Sequence, residues 1–104
     1  MEVTIQQEGQ ETLIKIKGRL DTNTSREYEE RLLSVWKRPE GSTPPQVCVD
    51  CSDLEYVSSA GLRLFLVMQK TATAEKGTLR LTGMRPEVRE VFSVTGFNAI
   101  FRIE

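Results

Sequence analysis

The sequence predicts an α/β fold, a two-layer domain in which a mixed, mostly parallel sheet carries its helices on one face. Three observations lead there. Ile14 and Ile16 alternate with Lys15 and Lys17, the period of a strand with one dry and one wet face. Strand-like and helix-like segments then alternate along the chain in the order ββαβαβαβ, which calls for parallel pairing through right-handed crossovers. Crossovers of one hand, stepping one way across a sheet, set all the helices on one side. The length of 104 residues fits one domain, 1–104.

From the N-terminus, "VTIQQ" and "ETLIKIKG" are two strands, joined into an antiparallel hairpin by a short turn at Glu8 to Gln10. Thr24 with Glu27 three residues later forms a capping-box pattern, so a helix is expected from about Ser25 to Lys37. Tyr28, Leu32, Val35 and Trp36 make its apolar stripe. Arg38 to Gln46, "RPEGSTPPQ", is a stiff loop with three prolines and a glycine. "QVCVDCS" reads as a central strand. "DLEYVSSAG" then leads into "LRLFLVMQKTATAEKG", a helix apolar on most sides, with Gly77 as its stop. Leu79 and Leu81 mark a fourth strand, "TLRLTG". Pro86 opens a last helix with the stripe Val88, Val91 and Phe92, and Gly96 ends it. "AIFRI" closes as a short strand.

This topology brings the turns after the parallel strands to one edge of the sheet: Asp21 to Thr24, Ser52 to Ser59, and Gly83 to Arg85. Sites in such sheets gather at that edge.

Composition removes several function classes. The net charge is −1, with no basic tract, so nucleic-acid binding has no electrostatic support. The longest apolar run, "LFLVM", is far short of the roughly 20 residues that cross a bilayer. "MEVTIQQ" has neither a basic nor an apolar signal region, so a cytoplasmic location is expected. There is no histidine, which takes away the commonest general base and metal ligand. Neither GxxxxGK[ST] nor GxGxxG occurs. No catalytic residue, metal ligand or cofactor is expected. The "CVDC" of Cys48 and Cys51 suggests redox or zinc chemistry, but residues three apart in a strand point to opposite faces, so both thiols are expected to be structural.

What remains is the pair Ser58 and Ser59, followed by Ala60 and Gly61. One serine is accounted for as a helix N-cap. The other stands where small neighbours leave backbone amides approachable and where a helix N-terminus favours negative charge. A phosphate there would add about −1.5 to −2 charges. Spacing alone leaves both readings open.

At these residues the chain resembles the STAS domain family, in particular the single-domain anti-sigma factor antagonists of bacteria. "GRLDTNTS" is similar to the family's G-x-L-D-x-x-T segment. "VCVDCSDLEYVSSAGLRLF" is similar to its strand followed by the D-S-[ST]-G-L block. "RPEVREVFSVTGFNAIFRI" resembles its final helix, glycine-aromatic step and terminal strand. The resemblance implies that Ser59, two places before Gly61, is the phosphorylated serine. Ser58 stands where the family has an acidic residue. The resemblance further implies a partner-binding surface made of Asp21, Thr22, Asn23, Thr24, Ser58, Ser59, Ala60, Gly61 and Arg63. The expected partners are an anti-sigma factor that is itself a serine kinase and a PP2C-type phosphatase, with no nucleic acid and no membrane. The alternative within the family is a STAS interaction module of a transporter, a lipid-transport complex or a stress-signalling assembly, never phosphorylated.

Overall fold

The computed structural model describes all 104 residues. Five strands form one sheet in the order β1-β2-β3-β4-β5: β1 Glu2–Glu8, β2 Glu11–Leu20, β3 Gln46–Val57, β4 Thr78–Thr82 and β5 Arg102–Ile103. The first pair is antiparallel and the other three are parallel. Helices α1 (Thr22–Leu33), α2 (Ser59–Ala74) and α3 (Pro86–Val94) connect the parallel strands. The order expected from the sequence is the order observed.

A single core lies between sheet and helices. Ile14, Ile16, Val47, Val49, Cys51 and Leu81 point into it from the strands, and Leu32, Phe65, Met68 and Phe92 from the helices. Phe65, Phe92 and Phe101 meet edge to face, with ring centroids 5.5 to 6.4 Å apart, the arrangement their quadrupoles favour. The opposite face of the sheet is open and polar. Arg80 there reaches across β3 to both carboxylate oxygens of Glu11, at 2.7 and 2.8 Å, and to Glu104 at 3.1 Å. The Arg80 guanidinium holds the Glu11 carboxyl below its ordinary range.

The two thiols are free and buried. Cys51 is in the core, where burial pushes its pKa up to about 12, so it stays neutral. Cys48 lies outside that core, in register between Leu13 and Arg80 and 3.7 Å from the Thr82 hydroxyl.

Five boundaries differ from the sequence reading. Helix α1 begins at Thr22 rather than Ser25, because Asp21 takes the N-cap and closes a reciprocal box with Thr24. It ends at Leu33, and Ser34–Trp36 continues as a 3₁₀ turn that seats Trp36 in the core. Helix α2 does not stop on Gly77: Lys76 takes the left-handed conformation at φ 59°, while the Gly77 N–H donates to the Ala72 carbonyl. Gly77 serves a close approach instead, since a Cβ there would lie 2.3 Å from the Pro45 carbonyl oxygen. At the chain end, Phe97–Ala99 is a 3₁₀ turn and only Arg102–Ile103 pairs as strand.

The largest difference concerns β3, which runs through Ser52 to Val57 instead of turning away at Ser52. Lys15 faces Asp50 while Lys17 faces Asp53, and Gly18 faces Leu54 while Arg19 faces Tyr56. Each step spends one more residue on β3 than on β2, the signature of a β-bulge. The inward positions of β3 are therefore Val47, Val49 and Cys51, then Leu54 and Val57, a spacing that changes from two to three. Strand β4 accompanies β3 only as far as Asp50, so the last part of β3 has β2 as its one strand neighbour.

Candidate functional site

The carboxyl ends of β2 and β3 lie side by side, and two backbone features tie the loops that leave them. The Ser58 N–H donates to the Leu20 carbonyl at 2.9 Å. Gly61, in the first turn of α2, is buried against the same carbonyl, and a Cβ there would stand 2.7 Å from that oxygen and from a Val57 methyl. Glycine at this position lets the N-terminus of α2 approach the end of β2. The Asp21–Thr24 segment and the Ser58–Arg63 segment thus share one surface.

Each terminus is capped from within. The Asp21 carboxylate accepts the Thr24 N–H at 3.0 Å, while the Thr24 hydroxyl accepts the Asp21 N–H and donates to the Arg19 carbonyl, both at 2.8 Å. The Thr24 backbone N–H first, then the Thr24 hydroxyl 3.1 Å from the same carboxylate oxygen, hold the Asp21 carboxyl below the usual carboxylate range. On α2 the cap is Ser58, whose hydroxyl accepts the Gly61 N–H at 3.2 Å. The two serines therefore do different jobs. Ser58 is spent on the cap, whereas Ser59 is the first helical residue, and it is exposed. The amide of Gly61 is not free for an incoming group, contrary to the expectation from its size; the first-turn amides before it have no intrahelical acceptor.

The predicted residues fall into two sets. Asp21, Thr24, Ser58 and Gly61 form the frame. Thr22, Asn23, Ser59 and Arg63 are exposed, with Ala60 half-buried between them. The third loop, Gly83 to Arg85, does not join them. The Arg85 guanidinium donates to the Ser52 carbonyl at 3.1 Å, and Gly83 packs on Ser52, six residues back along the chain from Ser58. It lies there because β4 ends where β3 is only half-way along. Asp50 sits in that neighbourhood: burial, the largest single influence, raises its pKa, but the Ser52 backbone N–H and hydroxyl together with the Lys15 charge outweigh it and hold the carboxyl low.

Sequence reasoning missed a cleft of about 200 Å³ between α1 and α2, lined from α1 by Ser25, Arg26 and Glu29 and from α2 by Ala60 and Arg63. Once the cap is placed at Asp21, Thr22, Ser25, Arg26 and Glu29 form one helical stripe, and that shift of start is the signal that finds it. The Ser25 hydroxyl is buried there without a hydrogen-bond partner. The Arg63 guanidinium stands 3.8 Å from the Glu29 carboxylate, a loose pair at an open surface. On the other side of the frame, Arg19 stacks on the exposed Tyr56 ring at 4.1 Å. No helix is long and apolar enough to cross a membrane.

Comparison with known proteins shows the family. A sequence model of the family described as "Mlab, STAS domain" matches residues 3–102. BtrV of Bordetella bronchiseptica, which bears the name of a putative anti-sigma factor antagonist, is 43% identical over 58 residues, 56% of this chain and 50% of its own length. The chain thus spans about half of that relative in the match. An anti-sigma factor antagonist STAS domain protein from Planctomyces limnophilus has the same fold, with a TM-score of 0.84 over 98% of this chain and 87% of that one, at 21% identity. The Bacillus cell fate determinant SpoIIAA, solved in its phosphorylated form, aligns with a TM-score of 0.71 over 99% and 91% of the two chains, at 18% identity. With the family pattern matched across 3–102 and the fold shared throughout, this chain belongs to the STAS domain family.

Proposed function

We propose that this chain is an anti-sigma factor antagonist that works in the cytoplasm as a partner switch. In the unmodified state the surface formed by Thr22, Asn23, Ser59, Ala60 and Arg63 binds an anti-sigma factor that is also a serine kinase. The Ser59 hydroxyl oxygen attacks the γ-phosphorus of the kinase's ATP, ADP leaves, and the hydroxyl proton passes to a base on the kinase. The phosphate adds charge and bulk at the docking surface, and the complex separates. A PP2C-type phosphatase restores the hydroxyl. The protein is then substrate and switch, with the catalytic groups on its partners.

One observation carries this reading: Ser59 is exposed at the first turn of α2, while the neighbouring Ser58 does the capping. A modification at Ser59 leaves the Ser58 cap untouched, so it alters the surface without undoing the fold. The relatives' names and the phosphorylated form of SpoIIAA support the same role.

A second reading, an interaction module that is never phosphorylated, is favoured by Ser58 itself, since no carboxylate precedes Ser59. Incubation with a cognate kinase and ATP, followed by mass spectrometry, separates the two. One phosphate at Ser59, abolished in Ser59→Ala, is expected. Phosphate only at Ser58, or none with a partner proven to bind, overturns the switch.

A further inference from the structure

We infer that a phosphate on Ser59 is held within the molecule by Arg63, which leaves Glu29 to take it. The inference rests on the reading of Ser59 as phosphoacceptor and says what the modified state does next.

Ser59 and Arg63 are four residues apart on α2 and so lie on one helix face. Helical side chains lean toward the N-terminus, which carries the Arg63 guanidinium back over the first turn, where Ser59 sits. Arg63 has little to hold it elsewhere. Its side chain is 74% exposed, and its contact with Glu29, at 3.8 Å, is beyond hydrogen-bonding distance. A carboxylate brings one negative charge, whereas a phosphate brings nearly two and matches the guanidinium fork with two oxygens.

The cleft beside this turn is prepared for such an exchange. Arg26 lines it from α1 together with Glu29, so Glu29 keeps a cation three residues away on its own helix when Arg63 leaves. The buried Ser25 hydroxyl in the same cleft has no partner in the unmodified state and is a donor in want of an acceptor. Phosphorylation would then do two things to a docking partner. It adds negative charge at Ser59, and it withdraws Arg63 and loosens the α1–α2 bridge to Glu29.

The test installs phosphoserine at Ser59 by genetic encoding, so that no kinase is needed. The second ionisation of the phosphate is followed by ³¹P NMR in low salt. The parent is expected to titrate about 0.2–0.4 pH units below Arg63→Gln. Glu29→Gln, which removes the competitor, is expected at or below the parent, and Arg89→Gln, on α3, equal to the parent. Equal titration of the parent and Arg63→Gln overturns the inference. So does a Glu29→Gln value above the parent. Failure of a kinase to modify Ser59 would bear on the proposed function alone, because this titration is independent of it.

Discussion

The carbonyl oxygen of Leu20 lies 2.7 Å from where a Cβ on Gly61 would stand, and the same oxygen accepts the Ser58 N–H. One backbone oxygen at the end of β2 thus fixes both the direction and the distance of the α2 terminus. Gly61→Ala must push the helix away. An overlap of this kind costs about 1–3 kcal/mol, more than the roughly 1 kcal/mol that alanine gains over glycine in a helix. A net loss is expected in urea unfolding, together with weaker partner binding. Unchanged stability would show that α2 can back off freely.

Ser58 should be replaceable by aspartate but not by alanine. Ser58→Ala removes the acceptor of the Gly61 N–H and is expected to cost about 1 kcal/mol. Aspartate caps as well as serine, so Ser58→Asp should hold stability within about 0.5 kcal/mol while restoring the acidic residue of the STAS pattern. Thermal unfolding of the two variants side by side checks the contrast.

Acid should weaken the fold through its bonded carboxylates. Asp21, Glu11 and Asp50 all titrate below their ordinary values of 3.8 for aspartate and 4.5 for glutamate. Such groups contribute stability that is fully present above the unfolded-state values and is lost as pH falls through the lowered folded-state ones. Urea midpoints should therefore hold from neutrality to about pH 5 and decline below about pH 4. Asp21→Asn keeps a capping oxygen without the charge, and with Glu11→Gln it should flatten that decline. An acid limb as steep as the parent's would place the sensitivity elsewhere.

The end of α2 makes a paired prediction of opposite sign. Lys76 has φ 59°, a conformation glycine adopts freely, so Lys76→Gly should stabilise by about 0.5–1 kcal/mol. Gly77→Ala, one residue on, drives a Cβ into the Pro45 carbonyl and should destabilise. Equilibrium unfolding of both variants is sufficient. The reverse order would mean that neither the left-handed angle at Lys76 nor the close approach at Gly77 governs this end of the helix.

Cys48 and Cys51 should resist both oxidation and labelling. One is in the core and the other on the opposite face beneath the Arg80–Glu11 pair, so no disulfide joins them without unfolding. Thiol reagent is expected to react only with the unfolding rate, and both thiols should count as free in oxidising buffer.

Much of this is legible in the sequence, and the failures have physical causes. Strict alternation marks β2, helical stripes mark α1 and α3, each with one buried face, and α2 is marked by being apolar on most sides. The adjacency of Asp21–Thr24 and Ser59 comes from parallel topology alone. The start of α1 is easily misplaced because Asp21 and Thr24 cap each other, and the Thr24–Glu27 pattern imitates the same motif three residues later. The last half of β3 reads as loop because its inward residues, Cys51, Leu54 and Val57, are three apart. Period two is the main strand signal that a sequence offers, and bulges erase it. The α1–α2 cleft stays invisible until the helix start is right.

Those bulges have a mechanical meaning. Between Lys15 and Arg19 the strand β2 spends four steps, and β3 spends six from Asp50 to Tyr56. Two strips of unequal length, fastened along their seam, must curl, as a bimetallic strip does when one metal expands. The curl falls in the part of β3 that has outrun β4, beyond Asp50, where the Gly83–Arg85 loop is already left behind at Ser52. Removal of Glu55 would even out the strips at the second bulge. Leu54 and Val57 would then keep their inward places by plain alternation. Two surplus residues on β3 thus take up their slack just before the tip that carries Ser58, outside the surface itself.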